Sequence, residues 1–287
     1  GQELVVRRIP QPWRHHSFGD REGYRAPGDS DAFVHSKLTR ICRTRLDREQ
    51  GVGGPIQDAQ IDGHRPAHAA VRRCRMRCLG IDLAWGERGR TGLAELDEHG
   101  RLIRSLSVRG DEEIAEFVGQ PDGRPIVAAI DAPLVVTNLT GQRPCETEIA
   151  RAFGRFHAAP HPSNLSRPLF LPEPRGSRLA RGFGWSVDPA TSAGSLPGCA
   201  IEVYPHPAMV SLFGLSRIIP YKRRPGRTVA DRRIAFVFLL DSMEAHLDAT
   251  CRLGESARWA ELRSRVETAS RPVDLDQIED EIDAIFC

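Results

Sequence analysis

Two short apolar runs in this chain each end in an aspartate: Cys78-Leu79-Gly80-Ile81-Asp82 and Ile126-Val127-Ala128-Ala129-Ile130-Asp131. Runs of this length and apolarity read as strands covered on both faces, as in the interior of an α/β sheet. A carboxylate at the end of such a strand is costly unless it is paired, hydrogen-bonded or bound to a cation. A loop cap or an arginine would satisfy either residue alone. Two carboxylates in the same setting point to a shared cation, which makes Asp82 and Asp131 the first candidate site residues.

The length of 287 residues suits one large domain or two small ones, and 40% hydrophobic content is ordinary for a globular chain. No stretch reaches the roughly 20 apolar residues of a membrane span, and the N-terminus lacks the apolar core of a signal peptide, so a cytoplasmic protein is expected. Seven scattered cysteines suggest no disulfide framework, and Cys74 and Cys78 lack the second pair of a zinc site. The formal net charge is +2, and Lys37 and Lys222 are the only lysines. With arginine so favoured, clusters such as Arg72, Arg73 and Arg75, or Arg223, Arg224 and Arg227, are weak pointers to nucleic-acid binding.

The chain divides near Met76. Residues 1–75 are rich in Arg, His, Pro, Gly and Asp without helical or strand periodicity, and are expected to be a disordered or non-native extension that folding does not need. Met76-Arg77-Cys78 reads as a natural start leading into the first strand. Residues 76–287 are expected to form the folded domain.

From Met76 the pattern is regular. A strand at about 78–85 is followed by Thr91-Gly92-Leu93-Ala94-Glu95-Leu96, a Glu-His-Gly hairpin turn, and Leu102 to Val108. Asp111 caps a helix carrying Ile114, Phe117 and Val118, and a buried strand follows at 126–131. A meander of three strands, a helix and a buried strand ending in an acid is the opening of a ribonuclease H-like fold. That fold is an α/β architecture: a mixed five-stranded sheet with helices on both faces, here with a long insertion after strand four. The insertion contains a helix from Thr147 to His157 and then loop around short helices up to Gly198. A fifth strand spans Ala200 to Tyr204, and helices follow at about 207–214, 229–247 (Ile234, Phe238 and Leu239 on one face), 255–268 and from Asp274.

A set of motifs in this part resembles a known family: Gly80-Ile81-Asp82-Leu83-Ala84-Trp85 with Thr91-Gly92-Leu93-Ala94, Ile130-Asp131-Ala132-Pro133-Leu134, Gly141-Gln142-Arg143-Pro144-Cys145-Glu146, His161-Pro162-Ser163-Asn164, Ile201-Glu202-Val203-Tyr204-Pro205-His206-Pro207, Tyr221-Lys222 and Asp280-Glu281-Ile282-Asp283-Ala284. In that order they are similar to the domain of unknown function 429 family, from about Met76 to Cys287. The resemblance implies a ribonuclease H-like nuclease without naming its substrate. Family members usually continue further after the Asp-Ala pair, so the last helix is expected to be clipped and Asp283 less firmly docked.

Enzymes of the ribonuclease H class hydrolyse phosphodiesters with two divalent metals held by carboxylates, here Mg²⁺ or Mn²⁺. Asp82 is then the bridging ligand, Asp131 binds one metal and Asp283 the other, with Asp280 one turn away as the alternative. Glu202 is a fourth candidate catalytic carboxylate, expected to point away from the apolar face of strand five. Arg143 and Lys222 suit phosphate contacts and Glu146 and His206 complete the candidate substrate-binding set, although Glu146 also fits a helix N-terminus and His206, like His161, a proline-rich turn. The expected partner is a nucleic acid or nucleotide. Two other readings stay open: an ATP-binding enzyme of the actin, Hsp70 and sugar-kinase type, and a ribonuclease H-like binding module without activity.

Overall fold

A computed structural model describes residues 76–247 and 251–287; the expectation for residues 1–75 lies outside them. Five strands, β1 (Arg77–Asp82), β2 (Thr91–Leu96), β3 (Leu102–Val108), β4 (Ile126–Ile130) and β5 (Gly198–Glu202), form one open mixed sheet in the order β3-β2-β1-β4-β5. β1 to β3 make the antiparallel meander, while β4 and β5 run parallel to β1. The hairpin turn closes as the sequence suggests: Gly100 takes a positive φ of 73° and Asp97 N donates to Arg101 O at 3.0 Å.

Helices cover both faces. On one, Leu79 and Ile81 of β1 and Ala128 and Ile130 of β4 pack with Ile114 and Phe117 of α1 (Asp111–Val118) and with Leu179 and Ala180 of α3 (Arg175–Gly182). On the other, Ala94 of β2 packs under five helices. These are α4 (Pro205–Leu212), α5 (Val229–Leu247), α6 (Ala257–Thr268), α7 (Pro272–Asp276) and α8 (Glu279–Phe286). The remaining helix, α2 (Pro144–Phe153), lies in the insertion after β4 and ends in a 3-10 turn, so the helix expected at Thr147 starts three residues earlier, at a proline suited to a first turn.

Helix α5 has the expected bounds, and of its expected inward residues Leu239 is buried and Phe238 packs at the core's edge, but Ile234 is not inward. Arg232, Ala235, Phe236, Leu239, Leu240 and Met243 point inward at helical spacing, whereas Ile234 is 52% exposed. The helix expected from Asp274 is two short ones, because the chain breaks at Gln277 and Ile278 and thereby sends Leu275, Ile278 and Ile282 into one core.

How α8 reaches the sheet follows from two glycines. A Cβ on Gly80 would lie 1.9 Å from the carbonyl oxygen of Ala284, and one on Gly92 would lie 1.7 Å from that of Asp280. Only hydrogen fits where helix backbone meets strand backbone. Charged side chains then fix the helix from three sides. Glu281 accepts from Ser105 Oγ of β3 at 2.6 Å and from Arg258 Nε of α6 at 2.7 Å, and Glu279 accepts from Arg232 Nη2 of α5 at 2.9 Å.

Gly92→Ala should therefore lower stability by about 3 kcal/mol or prevent folding, because overpacking against backbone cannot relax by a rotamer change. Gly154→Ala, where the added methyl meets no atom within 4 Å, should be close to neutral. Urea unfolding of the two variants checks this; equal, small effects would contradict the packing described.

Candidate functional site

Asp82 is the last residue of β1, paired with Gly92, and Asp131 is the first residue after β4, where its N–H donates to Ile81 O at 2.9 Å. The two acids thus stand side by side at the carboxyl ends of neighbouring parallel strands, the place where open α/β sheets bind ligands. Strand alternation sends both toward α8, since Ile81 and Ile130 face the opposite core. From above, α8 supplies Asp283, which is 1% exposed.

The loop before α5 completes the group. Tyr221 Oη donates to Asp283 Oδ1 at 2.7 Å, and Lys222 Nζ lies 2.7 Å from Asp283 Oδ2. Oδ2 is buried, and this ammonium is its partner among the described residues. The carboxylates of Asp82 and Asp131 make no side-chain hydrogen bond or ion pair with any described residue. Asp283 is held by Tyr221 and Lys222 inside a helix anchored on three sides, contrary to the loose docking expected of a short last helix.

Crowded acids are hard to ionise. Burial raises the Asp82 carboxyl well above its ordinary range, and the nearby Asp283 charge raises it further, with Lys222 opposing. Burial likewise lifts Asp131 to about 7, Glu279 to about 7 and Asp280 to about 6. Lys222 is driven the other way: burial disfavours its charge, but Asp283 and Asp82 outweigh that and raise its pKa. Its ammonium is the cation of this cluster.

The other expected site residues form a second network. Arg143 gives Nε to Glu146 at 2.8 Å and both terminal nitrogens to Glu202, at 2.9 and 2.6 Å. Glu202 also accepts from Leu134 N at 2.9 Å, and Glu146 from Ser163 N at 3.1 Å. This lattice fastens the segment after β4 to the end of β5, and it commits the Arg143 fork to internal carboxylates. Glu202 pairs with Ile130 in register and so shares its face and that of buried Ala200, away from Asp82 and Asp131; Ile201 faces the other way, and both residues are exposed. The register thus puts Glu202 on the face of Ile130 and Ala200 and not opposite to it, while its place at the end of an edge strand leaves it exposed.

His206 opens α4 with its ring 6.0 Å from that of Tyr221, and its buried Nδ1 has no partner. Burial, with Lys222 adding to it, lowers its pKa to about 4, so the ring is neutral. His161 is exposed. A cleft of about 530 Å³ lies at the opposite end of β1, where Arg77 and Arg104 share Glu95 at 2.6 and 2.7 Å, so its charges neutralise one another.

Carboxylate oxygens are the donors that Mg²⁺ or Mn²⁺ prefers; those of Asp82 and Asp131 have no described partner, whereas Asp283 is engaged by Tyr221 and Lys222. They do not form a finished cage: among the described residues no three His, Cys, Asp or Glu side chains are gathered closely enough to hold a metal ion. The set fits a hard cation in chemistry, and Lys222 is already paired with one of its three acids, Asp283. The sequence offered the three acids as metal ligands and Lys222 as a phosphate contact; it did not show Lys222 and Tyr221 as partners of Asp283, or Glu279 near them. The adjacency of Tyr221 to Lys222 was the available signal.

The raised carboxyls predict a pH dependence. A group whose folded pKa exceeds its ordinary value near 4 contributes stability that is present at low pH and lost as pH rises through the folded value. His206, held near 4, has the opposite sign and acts only below about 6.5. Between pH 6.5 and 8 the acids act alone, so the metal-free melting temperature should fall, and Asp131→Asn should remove much of that fall. A flat or rising melting temperature in calorimetry would contradict the cluster's electrostatics.

The helices of the described residues include none long and apolar enough to cross a membrane. No curated protein and no solved structure matches the chain. The family model described as Protein of unknown function (DUF429) matches residues 61–287, beginning upstream of Met76. With most of its length covered by that match, the chain belongs to the DUF429 family.

Proposed function

We propose that this protein is a metal-dependent nuclease of ribonuclease H-like fold that hydrolyses phosphodiester bonds. One observation carries the reading: Asp82 and Asp131 stand at the carboxyl ends of two parallel strands with Asp283 of α8 near enough to raise the pKa of both, and the Asp82 and Asp131 side chains make no hydrogen bond or ion pair with a described residue. Half-buried, unpartnered carboxylates beside a third acid are suited to taking up a cation. The order of strands and the acids on β1, after β4 and on the last helix support the fold assignment.

Asp82, Asp131 and Asp283 would hold Mg²⁺ or Mn²⁺, which would activate water and neutralise charge on the phosphoryl oxygens. Tyr221 fixes the rotamer of Asp283 by its hydrogen bond to Oδ1, so this ligand needs little reorganisation. Lys222 offsets part of the cluster's charge through Asp283 and would turn toward a substrate phosphate when a metal takes over that carboxylate. Arg143 orients the segment that carries Asp131 by tying Val135 O and Glu202 together, at 3.1 and 2.6 Å. Neutral His206 can pass a proton at the edge of the cluster.

Asp82→Asn should lower Mn²⁺-dependent cleavage of nucleic acid by about 100-fold or more, leave the circular dichroism spectrum unchanged, and raise the metal-free melting temperature by relieving carboxylate repulsion. Assays on single-stranded, duplex and hybrid substrates would also identify the preferred one. Full activity in this variant would remove the mechanism.

A further inference from the structure

A phosphodiester and a cluster of buried acids repel each other, so a nuclease built on this site needs positive charge next to it. The structure gathers such charge on the far side of the Tyr221-Lys222 backbone. Arg223, Arg224, Arg227 and Arg232, with Val229 and Pro272, line a cleft of about 390 Å³ that contains no acidic lining residue. Arg232 Nε donates to Tyr221 O at 2.9 Å and Arg227 Nη1 to Lys222 O at 2.7 Å. One loop therefore turns its two side chains to Asp283 and its carbonyls to the arginines.

The charge in the cleft is not cancelled. Asp276 is shared by Arg223 at 2.9 Å and Arg232 at 2.7 Å, and Glu279 takes the other end of Arg232. Arg227 has no carboxylate partner among the described residues, and burial together with Arg224, Arg217 and Arg232 holds its pKa below the ordinary arginine value. The guanidinium of Arg224 makes no hydrogen bond or ion pair with a described residue. Crowded guanidinium groups with unused donors suit a tetrahedral oxyanion, which each can grip with two parallel hydrogen bonds.

We propose that this cleft binds the phosphodiester backbone of a nucleic-acid strand next to the acid cluster, with Arg224 and Arg227 as its main contacts. The inference rests on the nuclease reading, yet binding can be measured without cleavage. The test is fluorescence anisotropy of a labelled single-stranded oligonucleotide with the full-length protein in EDTA, over a range of salt concentrations. Arg224→Glu, at an exposed and unpaired side chain, should weaken binding about tenfold or more at low salt. It should also reduce the slope of log affinity against log salt by about 0.7, the value for one phosphate contact on a single strand. Arg224→Ala with Arg227→Ala should reduce it by about twice that. Glu113→Gln, distant from the cleft, serves as a control and should leave binding unchanged. Affinities within twofold of the unaltered protein in both arginine variants, or no binding by the unaltered protein at low salt, would overturn the proposal. Tight, arginine-dependent binding with no cleavage on adding Mn²⁺ would uphold the cleft and sink the nuclease reading instead.

Discussion

The structure depends on laying a strongly acidic helix flat against the middle of a sheet. In α8, Glu279, Asp280, Glu281 and Asp283 fall within five positions, and the backbone of the helix touches β1 and β2 where only Gly80 and Gly92 leave room. Such a helix cannot be buried without compensation. Arg232, Arg258 and Lys222 each meet one of its carboxylates, and Ser105 and Tyr221 add neutral donors. Buried pairs of this kind add little net stability over apolar packing, but removing one partner is severe. They determine where the helix sits, and so where Asp283 points.

Charge is then distributed with a division of labour. Glu281 is fully satisfied and serves only to dock the helix, whereas Asp283, paired with Tyr221 and Lys222, also lies close enough to Asp82 and Asp131 to raise the pKa of both. Burial, and to a lesser degree their mutual repulsion, raises several of these acids toward neutrality, and the Lys222 ammonium opposes that. A divalent cation would meet the same need more completely. Beyond the loop that carries Lys222 the sign reverses, and arginines outnumber their acid partners. Juxtaposed negative and positive sites of this kind suit a metal and a phosphate bound side by side.

Much of this was legible in the sequence, for identifiable reasons. The strands ending in Asp82 and Asp131 are apolar throughout and could only be buried, so their acids stood out; Leu102 to Val108 and the turn before it followed from alternation and a glycine. The motif resemblance pointed to Asp283 and Lys222. Long-range partners were not legible: Ser105 and Glu281 are 176 positions apart, and nothing local marks either as half of a pair. Arg143 and Glu202 looked like groups reaching for substrate because single side chains carry no sign of being already engaged by each other. The burial of α5 was misread at Ile234 for another reason: an apolar residue one position off the helical stripe has no effect on its neighbours' spacing.

The central claim is that Asp82, Asp131 and Asp283 together form a divalent-metal site next to Lys222. Anomalous diffraction from crystals grown with Mn²⁺ tests it most directly. The account predicts an Mn²⁺ peak within coordination distance of carboxylate oxygens from all three residues, with the Lys222 ammonium moved away from Asp283. Crystals saturated with Mn²⁺ that show no peak there, with Lys222 still on Asp283, would contradict it.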